Sequence, residues 1–392
     1  MDIFQKSVLA IIKSSFSDEK VTVNESFPWD KAVDFVRAQS LDVMFLSGVQ
    51  KSGANIPPEC LSALKKRALV ITAHSIRQEN ESKKIFELLK RNNIDFLPLK
   101  GAVMQYMYPE TYMRFMSDID VLIKNEQYNS IEKLMQNAGY DFVCESNHEY
   151  IWDKKNVLHI EFHKWLIPSY NKDYFAYYGD GWRLAKQEDG SKYQMSDEDF
   201  FIYIFTHLAK HYRDSGIGLK HFIDIWVYLD NKHGLDKKYI ENELSKLQLN
   251  RFYKNVCYTL QVWFGNAKPN EVSDLITYWT FSGGTYGCRE KNILSKAVKE
   301  SAGKDGKNEN RFMRLFHAAF MPYEQMCKKY SILKKMPILL PIMWIVRIVT
   351  ALLLKRGNIK ERNAEINMLT DANVDNYHMA LNTVGLDFNF KE

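Results

Sequence analysis

Three short stretches carry residues whose types and spacing suit phosphoryl chemistry: Leu99-Lys100-Gly101, the isolated Arg114, and Ser117-Asp118-Ile119-Asp120-Val121-Leu122. In an extended segment alternate side chains share a face, so Asp118 and Asp120 are expected to point one way while Ile119, Val121 and Ile123 enter a core. Two carboxylates on one face are hard oxygen ligands. Such a pair can bridge two Mg²⁺ ions about 3.5–4 Å apart, with Mn²⁺ as a possible substitute. Further along, Val157 to Trp165 places His159, Glu161 and His163 on one face and Leu158, Ile160 and Phe162 on the other. Glu161 is thereby expected as a third carboxylate and metal ligand, activating an acceptor hydroxyl as a general base or through a metal ion. Lys100 and Gly101, at a strand-to-helix turn, are expected to receive a triphosphate, the ammonium neutralising it and backbone N–H groups approaching it closely. Arg114 adds a second cation, and Ser117 and His163 complete the near surroundings as substrate-binding candidates.

His207 and His211 lie four apart on an expected helix, with Asp224 on the next, a spacing that can meet a nucleotide or hold a metal. There is no His-Glu-x-x-His motif, and helical histidines usually serve packing, so substrate contact is the stronger of the two expectations. An isolated Asp-x-Asp is equally common on a solvated strand edge. What raises it here is its company: Lys-Gly upstream and a same-face Glu downstream.

The elements needed to position these groups are legible as α+β order. Apolar residues recur at helical spacing from Asp30 to about Arg91, and Met1 to Phe16 reads as an amphipathic helix rather than a signal peptide. A short strand follows at Ile94 to Leu99, a short helix at Gly101 to Met107, a strand at Asp118 to Ile123 and a helix at Glu126 to Asn137 that Gly139 terminates. Glu149 to Trp152 and Val157 to Trp165 form an antiparallel hairpin across Asp153–Asn156, so the sheet is mixed. Beyond Ser196, with Asp199 placed to complete a capping box, helices are expected over Glu198 to Tyr212, Leu219 to Asn231, Lys237 to Leu247 and Arg251 to Phe264. The organisation reads as a helical region at 1–85, a small mixed-sheet catalytic domain at 86–180, a helical substrate-closing domain at 181–300 and a helical region at 301–392. A polar, Gly-containing linker or loop is expected at Ser301 to Asn310.

Composition narrows the classes. The 392 residues exceed the ~150 typical of one domain, and 46% hydrophobic with 26% charged residues excludes wholesale disorder. A net charge of +5 suits a phosphate-facing patch and gives no strong nucleic-acid signal. Five dispersed cysteines without a C-x-x-C pair indicate neither a disulfide framework nor a zinc knuckle, and point to a reducing, cytoplasmic compartment. The most apolar segment, 337–354, carries Arg347 near its middle and would span about 27 Å at ~1.5 Å per residue. It reads first as a buried or docking helix, with membrane-surface contact a weaker alternative and a true span weaker still.

Taken together, the strand, the glycine turn, the Ser-Asp-x-Asp strand and the later carboxylate resemble the DNA polymerase β-type nucleotidyltransferase superfamily. More narrowly, Leu99-Lys100-Gly101, Arg114, Asp118-Ile119-Asp120, Ile160-Glu161-Phe162-His163 and a following His-containing helical region resemble an uncharacterised bacterial nucleotidyltransferase family, over roughly residues 80 to 300. Lys100-Gly101-Ala102 stands where the superfamily usually has Gly-Gly or Gly-Ser, and Glu161 where it more often has Asp. The resemblance implies metal-dependent transfer of a nucleoside monophosphate from an NTP to an acceptor hydroxyl, with release of pyrophosphate. Two alternatives stay open: a glycosyltransferase using Asp-x-Asp to hold a nucleotide-sugar, and a catalytically silent nucleotide-binding or scaffold protein.

Overall fold

The helical periodicity of the first ninety residues is realised as α1 (Ile3–Ser14), α2 (Trp29–Ala38), α3 (Asp42–Ser52) and the long α4 (Pro58–Arg91). Asp2 begins α1 with a full capping box: its carboxylate accepts from the Gln5 amide, and the Gln5 side chain accepts from the Asp2 amide. Pro58 opens α4, where a missing N–H costs nothing. The computed structural model describes residues 1–17, 19–302, 332–354 and 368–388, with isolated positions between 320 and 330.

A mixed sheet follows, built from β1 (Phe96–Pro98), β2 (Ile119–Ile123), β3 (Asp141–Glu145), β4 (Glu149–Lys154), β5 (Leu158–His163), β6 (Lys186–Asp189) and β7 (Lys192–Gln194). Its strand order is β3-β4-β5-β2-β1-β7-β6. The expected hairpin is β4–β5, antiparallel with Glu149 opposite His163. Central to the site, β2 and β5 pair in parallel with Asp120 directly opposite Glu161. The short α5 (Gly101–Met104) and α6 (Tyr128–Asn137) flank β2 in sequence.

The two faces of β2 and β5 divide as the alternation requires. Ile119, Val121 and Ile123 join Leu158, Ile160 and Phe162 in one core with Ile85 and Leu89 of α4 and Ile131 and Met135 of α6. Each such side chain contributes about 1.5–3 kcal/mol by leaving water, so one face anchors strands whose opposite face carries charge.

After α7 (Lys172–Tyr178) and the β6–β7 hairpin, the chain returns to helices: α8 (Asp197–Ser215), α9 (Leu219–Asn231), α10 (Lys237–Lys246), α11 (Asn250–Phe264) and α12 (Glu271–Phe281). Half of the expected capping box forms at α8. Ser196 Oγ accepts from the Asp199 amide at 3.1 Å, but it also donates to Asp199 Oδ2 at 2.7 Å, so the acid is spent on the hydroxyl. The β6–β7 hairpin, ahead of the first expected helix, lies inside the 181–300 region read as a helical domain, and adds to the sheet through parallel pairing of Phe96 with Lys192.

Met1–Gly287, with Thr383–Leu386, cluster as one compact unit, and Cys288–Asn382 form most of a second. Within the second, Met326, Cys327 and Leu333 make a small core against Leu340, Met343 and Trp344. The apolar segment begins with a 3₁₀ turn at Pro337–Leu339 and continues as a helix over Leu340–Leu354, with Ile338, Ile342 and Ile345 exposed. The expectation is a buried or docking helix, and these exposed residues show that its apolar character extends beyond the side chains that pack. Among the described residues no helix is long and apolar enough to cross a membrane. Residues 303–310 of the expected linker lie outside the described residues.

Candidate active site

The charged face of β2 and β5 opens into a cavity of about 300 Å³ lined by α5, α8 and α9. Among its lining residues are Lys100, Gly101, Arg114, Asp118, Asp120, Glu161, His163, His207 and His211. Of the candidates from the sequence, Ser117 alone is not a lining residue. It is exposed, and its hydroxyl lies 3.0 Å from the Tyr286 hydroxyl, which does line the cavity.

Asp120 is the most heavily engaged carboxylate. Lys100 Nζ donates to its Oδ1 at 2.6 Å, and His163 Nε2 lies 2.8 Å from the same atom. Burial works to raise the Asp120 carboxyl, but the charge of Lys100 and the hydrogen bond from His163 outweigh it and hold the group well below the usual carboxylate range. No hydrogen-bond partner among the described residues meets its other oxygen, Oδ2. Asp118 behaves oppositely. Burial, then the negative charges of Asp120 and Glu161, raise its carboxyl, with Lys100 and Ser117 opposing. Uncompensated negative charge of this kind is what a hard cation relieves. Ligand atoms of Asp120, Glu161 and His163 lie within 4.8 Å of one another, so these three could hold a divalent ion, while Asp118, on the same cavity wall, falls outside that group.

Lys100 has a backbone φ of 43°, a region L-residues rarely occupy. This turn aims its side chain at Asp120 rather than away from the sheet. Gly101 is required for a different reason: a Cβ there would stand 2.4 Å from Met116 Sδ and 2.8 Å from Arg114 Nη1. Arg114 is held in turn by Asp224, through Nε to Oδ1 at 3.1 Å and Nη2 to Oδ2 at 2.7 Å, and Tyr108 donates to Asp224 Oδ1 at 2.7 Å. Burial disfavours the Arg114 charge, but Asp224 restores it and the guanidinium pKa rises. Asp224, grouped from sequence with the histidines, is thus the tether that locks Arg114 against the cavity.

The helical side supplies nitrogen. His207 Nε2 and His211 Nε2 lie 3.1 Å apart, and burial followed by the nearby His211 charge pushes His207 well below its ordinary value. His221 is lowered in the same way, by burial and then by Lys220. Lys220 is buried with its Nζ on the Phe115 carbonyl at 3.4 Å, and burial, reinforced by Arg114, brings it down to about 7. These groups face the acids across the same space.

Sequence reading did not single out His148, Tyr170, Lys210, Lys220, His221 or Tyr286, all of which line the cavity. For Lys220 a signal existed: it stands four before Asp224, on the face that also carries His221. For Tyr286 there was none. It sits in a loop fixed by buried Gln39, whose side chain donates to the Gly283 carbonyl at 2.6 Å and accepts from the Leu219 amide at 2.7 Å.

Fold and site together define an α+β protein with a carboxylate cluster on the open face of a mixed sheet, beneath a helical wall rich in Lys and His. Residues 25–265 match the family model described as uncharacterised nucleotidyltransferase, and the chain belongs to that family. No curated protein and no solved structure matches it significantly.

Proposed function

We propose that this protein transfers a nucleoside monophosphate from an NTP to an acceptor hydroxyl with release of pyrophosphate, in the manner of DNA polymerase β-type enzymes. The observation that carries the reading is the in-register pairing of Asp120 with Glu161 on parallel strands, with Asp118 one step before, on the wall of a cavity that also gathers Lys and His. Asp118, Asp120 and Glu161 would hold Mg²⁺, which a hard oxygen set fits. When bound, the metal neutralises charge on the phosphates and lowers the pKa of the attacking hydroxyl.

The chain's own residues do the rest. Lys100 keeps Asp120 ionised and, one ion pair away, offers its ammonium to a phosphate. Lys220, buried without a carboxylate partner among the described residues, takes a phosphate oxygen and regains its proton in doing so. Arg114 is committed to Asp224 and stiffens the wall behind them. His207 and His221, kept neutral by burial and by their cationic neighbours, can hydrogen-bond a base, sugar or phosphate without adding charge. Catalysis is then positioning plus charge stabilisation in a partly desolvated space.

The test is incubation of the purified protein with each labelled NTP, Mg²⁺ and a cell extract, reading pyrophosphate release and acceptors that gain a nucleoside monophosphate by mass spectrometry. Transfer from at least one NTP, lost in Glu161→Gln, is expected. Nucleoside diphosphate release from a nucleotide-sugar would replace this reading with glycosyl transfer. Metal-dependent NTP binding with no transfer would leave a silent binding protein.

A further inference from the structure

We propose that His148, Glu149 and His163 form a second cation site, for a borderline-soft divalent ion of the zinc type, beside the carboxylate cluster and sharing His163 with it. One ligand atom from each of the three lies within 4.8 Å of the others. The β4–β5 register creates this grouping by placing Glu149 directly opposite His163, with His148 in the bend just before the strand. His148 Nε2 already sits 2.8 Å from Glu149 Oε2, and the two imidazole centroids are 5.7 Å apart.

The hydrogen bonds behind these side chains match what a metal site needs. A ligating imidazole uses one nitrogen for the ion and has the other held by a carboxylate, carbonyl or similar group, which fixes tautomer and ring orientation. His148 Nδ1 lies 3.3 Å from Ser146 Oγ, leaving Nε2 for an ion. His163 Nε2 is held by Asp120 Oδ1 at 2.8 Å, while its Nδ1 is buried without a hydrogen-bond partner among the described residues. A buried ring nitrogen left in this state is costly unless something binds it. Coordination through Nδ1 would satisfy it and make Asp120–His163 a carboxylate–histidine–metal relay.

Two imidazoles and one carboxylate favour Zn²⁺, Co²⁺ or Ni²⁺ over Mg²⁺, and leave at least one coordination position for solvent or substrate. Asp120 would then serve both positions, as ligand to the hard ion and as anchor of the histidine on the softer one. The inference stands without the transfer reaction, since every contact it uses belongs to the protein itself.

The experiment is titration of metal-free, tag-free full-length protein with Co²⁺ in the absence of nucleotide, following visible d–d absorption, then displacement by Zn²⁺. One equivalent is expected to bind with the spectrum of a nitrogen–oxygen site and no thiolate charge-transfer band, which separates it from the exposed Cys144. His148→Ala and the isosteric Glu149→Gln should each weaken binding tenfold or more, and Ser146→Ala by about 10-fold. Asp118→Asn should leave it within about threefold, since Asp118 is outside the proposed donor set. Absence of a stoichiometric band, or one that survives the His148→Ala/Glu149→Gln double variant with its near-UV circular dichroism intact, overturns the proposal. Co²⁺ binding as described with no nucleotide transfer refutes the transferase and keeps the site, while transfer without Co²⁺ binding does the reverse.

Discussion

A second cavity, of about 630 Å³, lies along the other side of α5, lined by residues of α4, the β6–β7 hairpin and α8. It is larger than the carboxylate cavity and also rich in charge, yet its charges are arranged differently. Lys90 pairs with Asp189 at 2.5 Å, Lys192 with Glu188 at 2.9 Å and Lys232 with Asp197 at 2.8 Å. In the smaller cavity Lys220 has no carboxylate partner among the described residues, Asp118 is repelled by its neighbours, and Lys100 and His163 share a single oxygen of Asp120. Mutual satisfaction marks a surface already solvated and balanced; unbalanced charge, buried, marks one waiting for a ligand.

The sharpest way to break this contrast is to remove the acids. Asp118→Asn with Asp120→Asn is expected to abolish nucleotide transfer, by at least about 10⁴-fold for a metal-centred site, measured with the labelled NTP that the wild type uses. Next in size is Lys220→Met. A charge-assisted bond is worth about 1.5–3 kcal/mol, so NTP affinity should fall roughly 10- to 100-fold. The pH dependence sharpens it further. Burial lowers Lys220 to about 7, so the charged form dominates only below that pH. Wild-type NTP affinity, measured by calorimetry at constant Mg²⁺, should weaken as pH rises through that region, and the variant's profile should be flat there.

A smaller effect is expected from Gly101→Ala. The new methyl meets Met116 and Arg114, both packed against the cavity wall. Overpacking of this sort costs about 1–3 kcal/mol, readable as a fall in the denaturation midpoint, with loss of the Arg114–Asp224 geometry raising KM for the nucleotide. The smallest belongs to the larger cavity: Lys192→Ala should leave turnover within about twofold, because exposed ion pairs contribute little. A large loss there would erase the distinction between the two spaces.

What was legible in the sequence follows from periodicity. Period two in Ile119–Ile123 and Leu158–His163 separated aliphatic from charged side chains, which is why Asp120, Glu161 and His163 were expected on one side of the sheet. The helices α9 and α11 were legible because apolar residues recur along their buried faces, and α8 because its apolar run is buried almost all round. By contrast β3 and β6 are exposed along their whole length. Outer strands that face water lack the apolar alternation that identifies a strand, and their polarity protects the sheet edge. Lys100 was legible as a cation but not as the partner of Asp120, since that depends on a positive φ that residue type does not announce. Tyr286 depends on a loop tied by Gln39, a contact between residues more than two hundred positions apart.

The parallel pairing of β2 with β5 also dictates when the protein becomes competent during synthesis. A nascent chain that ends before residue 158 already contains β2, whose Ile119-Asp120-Val121-Leu122-Ile123 has β1 on one flank and nothing on the other. Until β5 leaves the ribosome, that flank is an unguarded hydrogen-bonding template for neighbouring chains. Late insertion of an acid-bearing strand beside another also meets electrostatic resistance, which prolongs the exposure of that flank.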